Sequence, residues 1–112
     1  MTNYFRLATE TLSTTNLTTL LTVPATSTYL VGSIIVANTH ASTVPEITIT
    51  ITDDSETASV NIATLKSIAI EVPHEILTRP LVLENGDILK FQSDTVDIVD
   101  ITVSYLDRDR SS

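Results

Sequence analysis

The sequence predicts an all-β fold, an antiparallel two-sheet β-sandwich of about eight strands, and three observations predict it. Threonine and serine make up about a quarter of the 112 residues, and the branched Cβ of threonine suits the wet face of a pleated strand better than a helix. Turn-forming clusters of Pro, Asn, Asp, Ser and Gly recur roughly every 8–12 residues. Apolar residues alternate or run in short blocks, and no segment carries a convincing helical period. Jelly-roll and immunoglobulin-like strand orders both fit this pattern.

Taken in order, residues 1–15 read as an N-terminal arm that alternates poorly and carries Tyr4, Phe5, Arg6 and Leu7 near its start. Residues 16–106 read as the sandwich domain and 107–112 as a charged tail. Asn16 to Val23 is a first strand at a sheet edge, stopped by Pro24, which lacks the ladder donor. Tyr29 to Asn38 is a nearly continuous apolar run, read as a central strand buried on both faces, with Gly32 marking a bulge or close crossing.

Glu46 to Asp53 is the clearest signal, with Ile47, Ile49 and Ile51 facing one way and Thr48, Thr50 and Thr52 the other. After the turn Asp53-Asp54-Ser55-Glu56 come two weaker strands, Ala58 to Leu65 and Lys66 to Val72, the second with Ile68, Ile70 and Val72 inward. Pro73 to Pro80 reads as a loop crossing between sheets. Leu81 to Leu83 and Ile88 to Gln92 then form a hairpin about Glu84-Asn85-Gly86-Asp87, with Leu89 and Phe91 inward. The last strand spans about Asp97 to Leu106, with Val99, Ile101, Val103 and Tyr105 on one face and an irregularity near Ile98.

Composition narrows function. The net charge of −8 repels nucleic-acid phosphates and anionic lipid headgroups, so neither direct nucleic-acid binding nor membrane association is expected. No apolar run reaches the roughly 18 residues of a spanning helix, and Met1 to Arg6 lacks the order of a signal peptide. Cysteine is absent, which removes disulfides, thiolate metal sites and cysteine nucleophiles together.

Candidate chemistry is sparse. The two histidines, His40 and His74, lie in predicted loops and read as solvated, without the oriented base of a nucleophilic triad. His74 and Glu75 lack the convergent spacing of a zinc site. Asp53, Asp54 and Glu56, and likewise Glu84 and Asp87, are oxygen ligands suited to Ca²⁺, but these residue types also form turns. Asp94, Asp97 and Asp100 read as a solvated sheet rim. With 4% aromatics and no Trp, sugar-stacking platforms are few. Two glycines do not make a phosphate loop. No catalytic residue, cofactor or metal is expected, and the chain reads as a binding protein and not an enzyme.

Three stretches carry a family resemblance. They are Leu21-Thr22-Val23-Pro24-Ala25 leading into Tyr29-Leu30-Val31-Gly32-Ser33-Ile34-Ile35-Val36-Ala37-Asn38-Thr39, the alternating Ile47-Thr48-Ile49-Thr50-Ile51, and Pro80-Leu81-Val82-Leu83-Glu84-Asn85-Gly86-Asp87-Ile88-Leu89-Lys90. In this order, over about residues 17–106, the chain resembles small β-sandwich virion proteins of tailed bacteriophages. The resemblance implies a non-enzymatic subunit of the virion, assembled in the host cytoplasm, present as a homo-oligomer and partnered by the phage major capsid protein or by tail proteins. The expected role is that of a capsid decoration (cement) protein that binds and stabilises the assembled shell, with Tyr4, Phe5, Arg6 and Leu7 of the arm ordering on contact. The alternatives are a tail or fibre component, and a carbohydrate- or Ca²⁺-binding recognition module.

Overall fold

The computed structural model describes residues 2–40, 42–53, 58–69 and 73–110, with only the backbone described at 58 and 63–65. It is a two-sheet antiparallel β-sandwich, with no helix among the described residues. The strands are β1 (Thr2–Thr11), β2 (Thr18–Thr22), β3 (Ser27–Asn38), β4 (Glu46–Asp53), β5 (Ala58–Ser67), β6 (His74–Glu75), β7 (Leu81–Leu83), β8 (Ile88–Ser93) and β9 (Val99–Asp109).

One sheet runs β1-β9-β3-β6, with β7 also on β3, and the other runs β2-β8-β4-β5. The pairing is nested. β4 pairs with β5, β3 with β6 and β7, β2 with β8, and β1 with β9. One long hairpin thus rolls up until β9 also meets β3 and β8 also meets β4. This is the jelly-roll order, with β6 and β7 together filling one strand position, and it resolves the alternative left open by the sequence.

Alternation places the core. Ile47 and Ile49 of β4, Leu89 and Phe91 of β8, Val31, Ile34 and Val36 of β3, and Val99, Ile101 and Val103 of β9 meet between the sheets, each essentially inaccessible to solvent. The expected strand from Glu46 to Asp53 is β4 to the residue. The bulge expected at Gly32 is present as a register shift between Val31 and Ser33. Near Ile98 the chain bends through Asp97, which takes a positive φ of 64°.

Several expectations are corrected. Most of the arm, Thr2–Thr11, is a strand, because β9 offers it an unbroken antiparallel register from Thr2 opposite Asp109 to Thr11 opposite Asp100. Asp107 to Asp109 continue β9, so the charged tail begins later than residue 107. β3 is buried on one face only, because none of the described residues covers its outer face, which leaves Leu30 and Ile35 exposed. β7 and β8 are not a hairpin, since they lie in opposite sheets. The turn between them is held instead by the end of β2, where Gly86 N–H donates to Val23 O and Val23 N–H donates to Asp87 O, both at 2.9 Å.

Ala58 to Ser67 forms one strand and not two, ending before the buried Ile68. Asp54, Ser55, Glu56, Ile70 and Val72 lie outside the described residues. The crossing segment after Pro73 contains the two-residue β6, which docks His74 and Glu75 against Val36 and Ile35.

The two glycines differ in role. Gly86 has a positive φ of 87°, so Gly86→Ala is expected to cost about 1–2 kcal/mol. At Gly32 an added Cβ meets only Ser104 O, at an ordinary 3.9 Å, so Gly32→Ala is expected to stay within about 0.5 kcal/mol of the parent. Urea unfolding of the two variants checks the contrast, and equal losses would contradict it.

Candidate docking face

The outer face of the β1-β9-β3-β7 sheet carries an apolar row that crosses four strands. Phe5 of β1 stands opposite Leu106 of β9, Leu106 opposite Leu30 of β3, and Leu30 opposite Val82 of β7. Directly paired residues on one face lie about 4.5–5.5 Å apart, so these side chains form a continuous strip. Phe5 is 91% exposed, Leu7 65% and Val82 57%. A contiguous exposed apolar strip on a folded domain marks an interaction site more often than chance scatter does.

The strip borders a groove of about 530 Å³ lined by Phe5, Leu7, Leu30, Pro80 and Leu106, with Gly32 and Ser104 also contributing. Gly32 lacks a side chain and Ser104 has a short one, so larger apolar neighbours surround a hollow. Such a hollow accepts a protruding side chain of a partner.

Alternation along β1 divides the four arm residues singled out from the sequence. Phe5 and Leu7 belong to the outer face. Tyr4 and Arg6 belong to the opposite one, opposite Asp107 and Tyr105. There Arg6 Nε donates to Asp107 Oδ2 at 3.0 Å, and its guanidinium lies 4.8 Å from the Tyr4 ring centroid. Asp107 is buried, and its Oδ1 has no partner among the described residues, so Arg6 supplies the charge that holds this carboxylate in place. Burial pushes the neighbouring Tyr29 phenol up to about 12, with Tyr105 and Asp107 adding to the effect. The Tyr29 and Tyr105 rings lie 4.6 Å apart. Arg6 therefore anchors β1, while Phe5 and Leu7 remain available to a partner.

Glu75 ties β6 to β3 next to the groove residue Gly32. Its carboxylate accepts from Ser33 Oγ at 2.5 Å and from the N–H of Ile34 at 2.9 Å and Leu77 at 3.3 Å, immediately after the Gly32 bulge. Burial opposes its ionisation, but the hydrogen bonds from Ser33, Ile34, Leu77 and Ile76 outweigh it and hold the group below its ordinary range.

Several of the other candidate groups accept hydrogen bonds within the fold. One nitrogen of His40 accepts the N–H of Ser42 and Thr43, and one of His74 accepts that of Ala69. Asp87 Oδ2 accepts from Glu84 N–H, Asp94 Oδ1 from Glu46 N–H, and Asp100 Oδ1 from Thr11 Oγ. Among the described residues no three His, Cys, Asp or Glu side chains converge as a metal site. Residue-type reasoning missed the exposed Leu30 and Val82 and the half-buried Leu106, because their solvent access depends on no second layer of described residues covering the sheet.

The carboxylate of Glu75 is more acidic folded than unfolded, so its stabilisation is complete above the ordinary carboxylate range and is lost as pH falls through and below it. Unfolding free energy is expected to drop on acidification from about pH 5 to pH 3. Glu75→Gln should cost less than about 1 kcal/mol at neutral pH, because the carboxylate is exposed and solvent screens its hydrogen bonds, and it should flatten that drop. An unchanged acid limb in Glu75→Gln would contradict the assignment.

No protein-family model matches the sequence, and no curated protein matches it. Two solved structures have a similar arrangement. One is a pentameric capsid protein isolated from metagenomic phage sequences, 16% identical with a TM-score of 0.43, the match covering 92% of this chain and 62% of that one. The other is the infectious bursal disease virus Gt strain, 13% identical with a TM-score of 0.48, covering 95% of this chain and 32% of that one. This chain therefore spans less than two thirds of either, and at these identities and scores neither likeness bears on what it does.

Proposed function

We propose that this chain is a non-enzymatic structural protein of a bacteriophage virion, a capsid decoration (cement) protein that docks on the assembled shell through the outer face of the β1-β9-β3-β7 sheet. The observation that carries the reading is the Phe5-Leu106-Leu30-Val82 strip beside a small-residue hollow. The resemblance of residues 17–106 to small virion proteins supports the same role. A stable contact buries roughly 800 Å² per partner, and a sheet face of four strands supplies an area of that order. Many copies on a symmetric shell then strengthen one another through avidity.

Charge favours a particular kind of surface. The chain is strongly acidic, yet Arg108 follows one row beyond Leu106 on this face, and Arg79 adjoins the groove residue Pro80. A shell surface that presents an apolar side chain among acidic neighbours complements this face, while the acidic remainder disfavours docking in other orientations.

The test is to mix purified protein with intact phage shells that lack decoration and to measure binding and the particle's disruption temperature. Wild type is expected to bind and raise that temperature. The double variant Phe5→Ser/Leu7→Ser, and separately Gly32→Val to fill the hollow, should bind at least about tenfold more weakly, since removing buried apolar anchors costs on the order of 1.4 kcal/mol or more. The free variants should unfold within about 0.5 kcal/mol of wild type. Equal shell binding by the variants, or binding of the wild type to tails, glycans or Ca²⁺ in place of shells, would refute the reading.

A further inference from the structure

Among the described residues the sandwich has four sheet edges, and three of them are blunted against pairing. β2 is five residues long, carries a register shift between Thr19 and Leu21, and is followed by Pro24. β5 is shifted twice against β4 and carries Lys66. The β6 and β7 edge consists of pieces of two and three residues, with Pro73 before the first and Pro80 before the second. Short strands, bulges, lysines and prolines are the devices by which natural sheets discourage edge-to-edge association. β1 has no bulge, lysine or proline, and its two charges, Arg6 and Glu10, are of opposite sign. It is ten residues long, free of proline, in unbroken register with β9, and unpaired on its other side among the described residues.

Which residues face that open side follows from the ladder. Leu12 N–H donates to Val99 O at 3.0 Å, continuing the register in which Thr11 lies opposite Asp100. Hydrogen-bonded and non-hydrogen-bonded pairs alternate in an antiparallel ladder. The even residues Arg6, Ala8 and Glu10 therefore direct their N–H and C=O groups to β9, and the odd residues Phe5, Leu7, Thr9 and Thr11 direct theirs to the open edge.

We infer that this edge pairs with β1 of a second copy of the chain, antiparallel, about a two-fold axis through Ala8. In that register Leu7 exchanges backbone bonds with the partner's Thr9, and Phe5 with the partner's Thr11, giving about eight new bonds. Arg6 falls opposite the partner's Glu10, and Glu10 opposite the partner's Arg6. These are non-hydrogen-bonded positions, where side chains approach most closely, and the axis itself passes between two small alanines. An axis through Arg6 or Glu10 would set like charges against each other. Arg6 uses Nε for Asp107, and the guanidinium carries further N–H donors for the partner's carboxylate. The joined sheets turn both Phe5/Leu7 strips to the same side. The pairing itself does not depend on shell docking.

The test is light scattering of the full chain over a range of concentrations. Wild type is expected to reach twice the 12.2 kDa monomer mass. Thr9→Pro removes an outward N–H and leaves the β9 ladder intact, so it should remain folded by circular dichroism and be monomeric. Glu10→Arg should weaken dimerisation at least tenfold, with the loss partly relieved by salt, because the repulsion it creates is screened. Val60→Thr, on the far sheet, should dimerise as wild type does. A wild type that stays monomeric at all concentrations, one that forms only trimers or rings, or a Thr9→Pro dimer as tight as wild type would overturn the inference. A monomer that still binds shells refutes this pairing alone, and a dimer that ignores shells refutes the docking role alone.

Discussion

Strand β9 is paired along its length on both sides, with β1 on one edge and β3 on the other, and the rest of the molecule depends on that double register. Its inward residues Val99, Ile101 and Val103 are buried between the sheets. Side chains alternate with a period of two, so a slip of one residue on either neighbour would expose one set of apolar groups and bury the wrong one. The burial that fixes the core therefore fixes the opposite face as well. Leu106 is aligned with Phe5 and Leu30 because Val103 and Ile101 must face inward.

The nested order adds a second constraint. The first and last strands close the roll, and β1 is held by β9 alone in its sheet, through the ladder and through the Arg6–Asp107 pair. An element with one neighbour and mostly exposed side chains has fewer contacts to lose on opening than β3 or β8. Any partner that covers the outer face or the open edge supplies β1 with contacts it lacks in the isolated domain, and so links binding to local stability.

Much of the fold was legible in the sequence where one residue type could occupy only one face. Ile47 and Ile49 against Thr48 marked β4 because threonine accepts water and isoleucine does not. Gly32 marked the bulge, and Leu89 with Phe91 marked the inward row of β8. The misread elements share a physical origin. Leu30 and Ile35 are apolar yet exposed, and a run of apolar residues looks the same whether its second face meets a core or a partner. The Glu84-Asn85-Gly86-Asp87 turn resembled a hairpin tip, since the Val23 hydrogen bonds that turn the chain across to the other sheet come from residues some sixty positions away. Thr2–Thr11 was read as an arm because an edge strand with little burial leaves weak periodicity, and its order comes from β9. Tyr4 to Leu7 were visible as a cluster, but their division between an anchoring face and an open face required the register.

The central claim is that the β1-β9-β3-β7 face is where this protein meets its partner. Hydroxyl-radical footprinting of the free protein and of the protein bound to intact phage shells tests it most directly, because it reads the solvent access of individual side chains. The account predicts protection of Phe5, Leu7, Leu30 and Leu106 on binding, with Val60 on the other sheet and Val44 and Val96 in its loops as reactive as before. Protection centred on Val44, Val60 or Val96, with Phe5 and Leu7 still fully reactive, would contradict it.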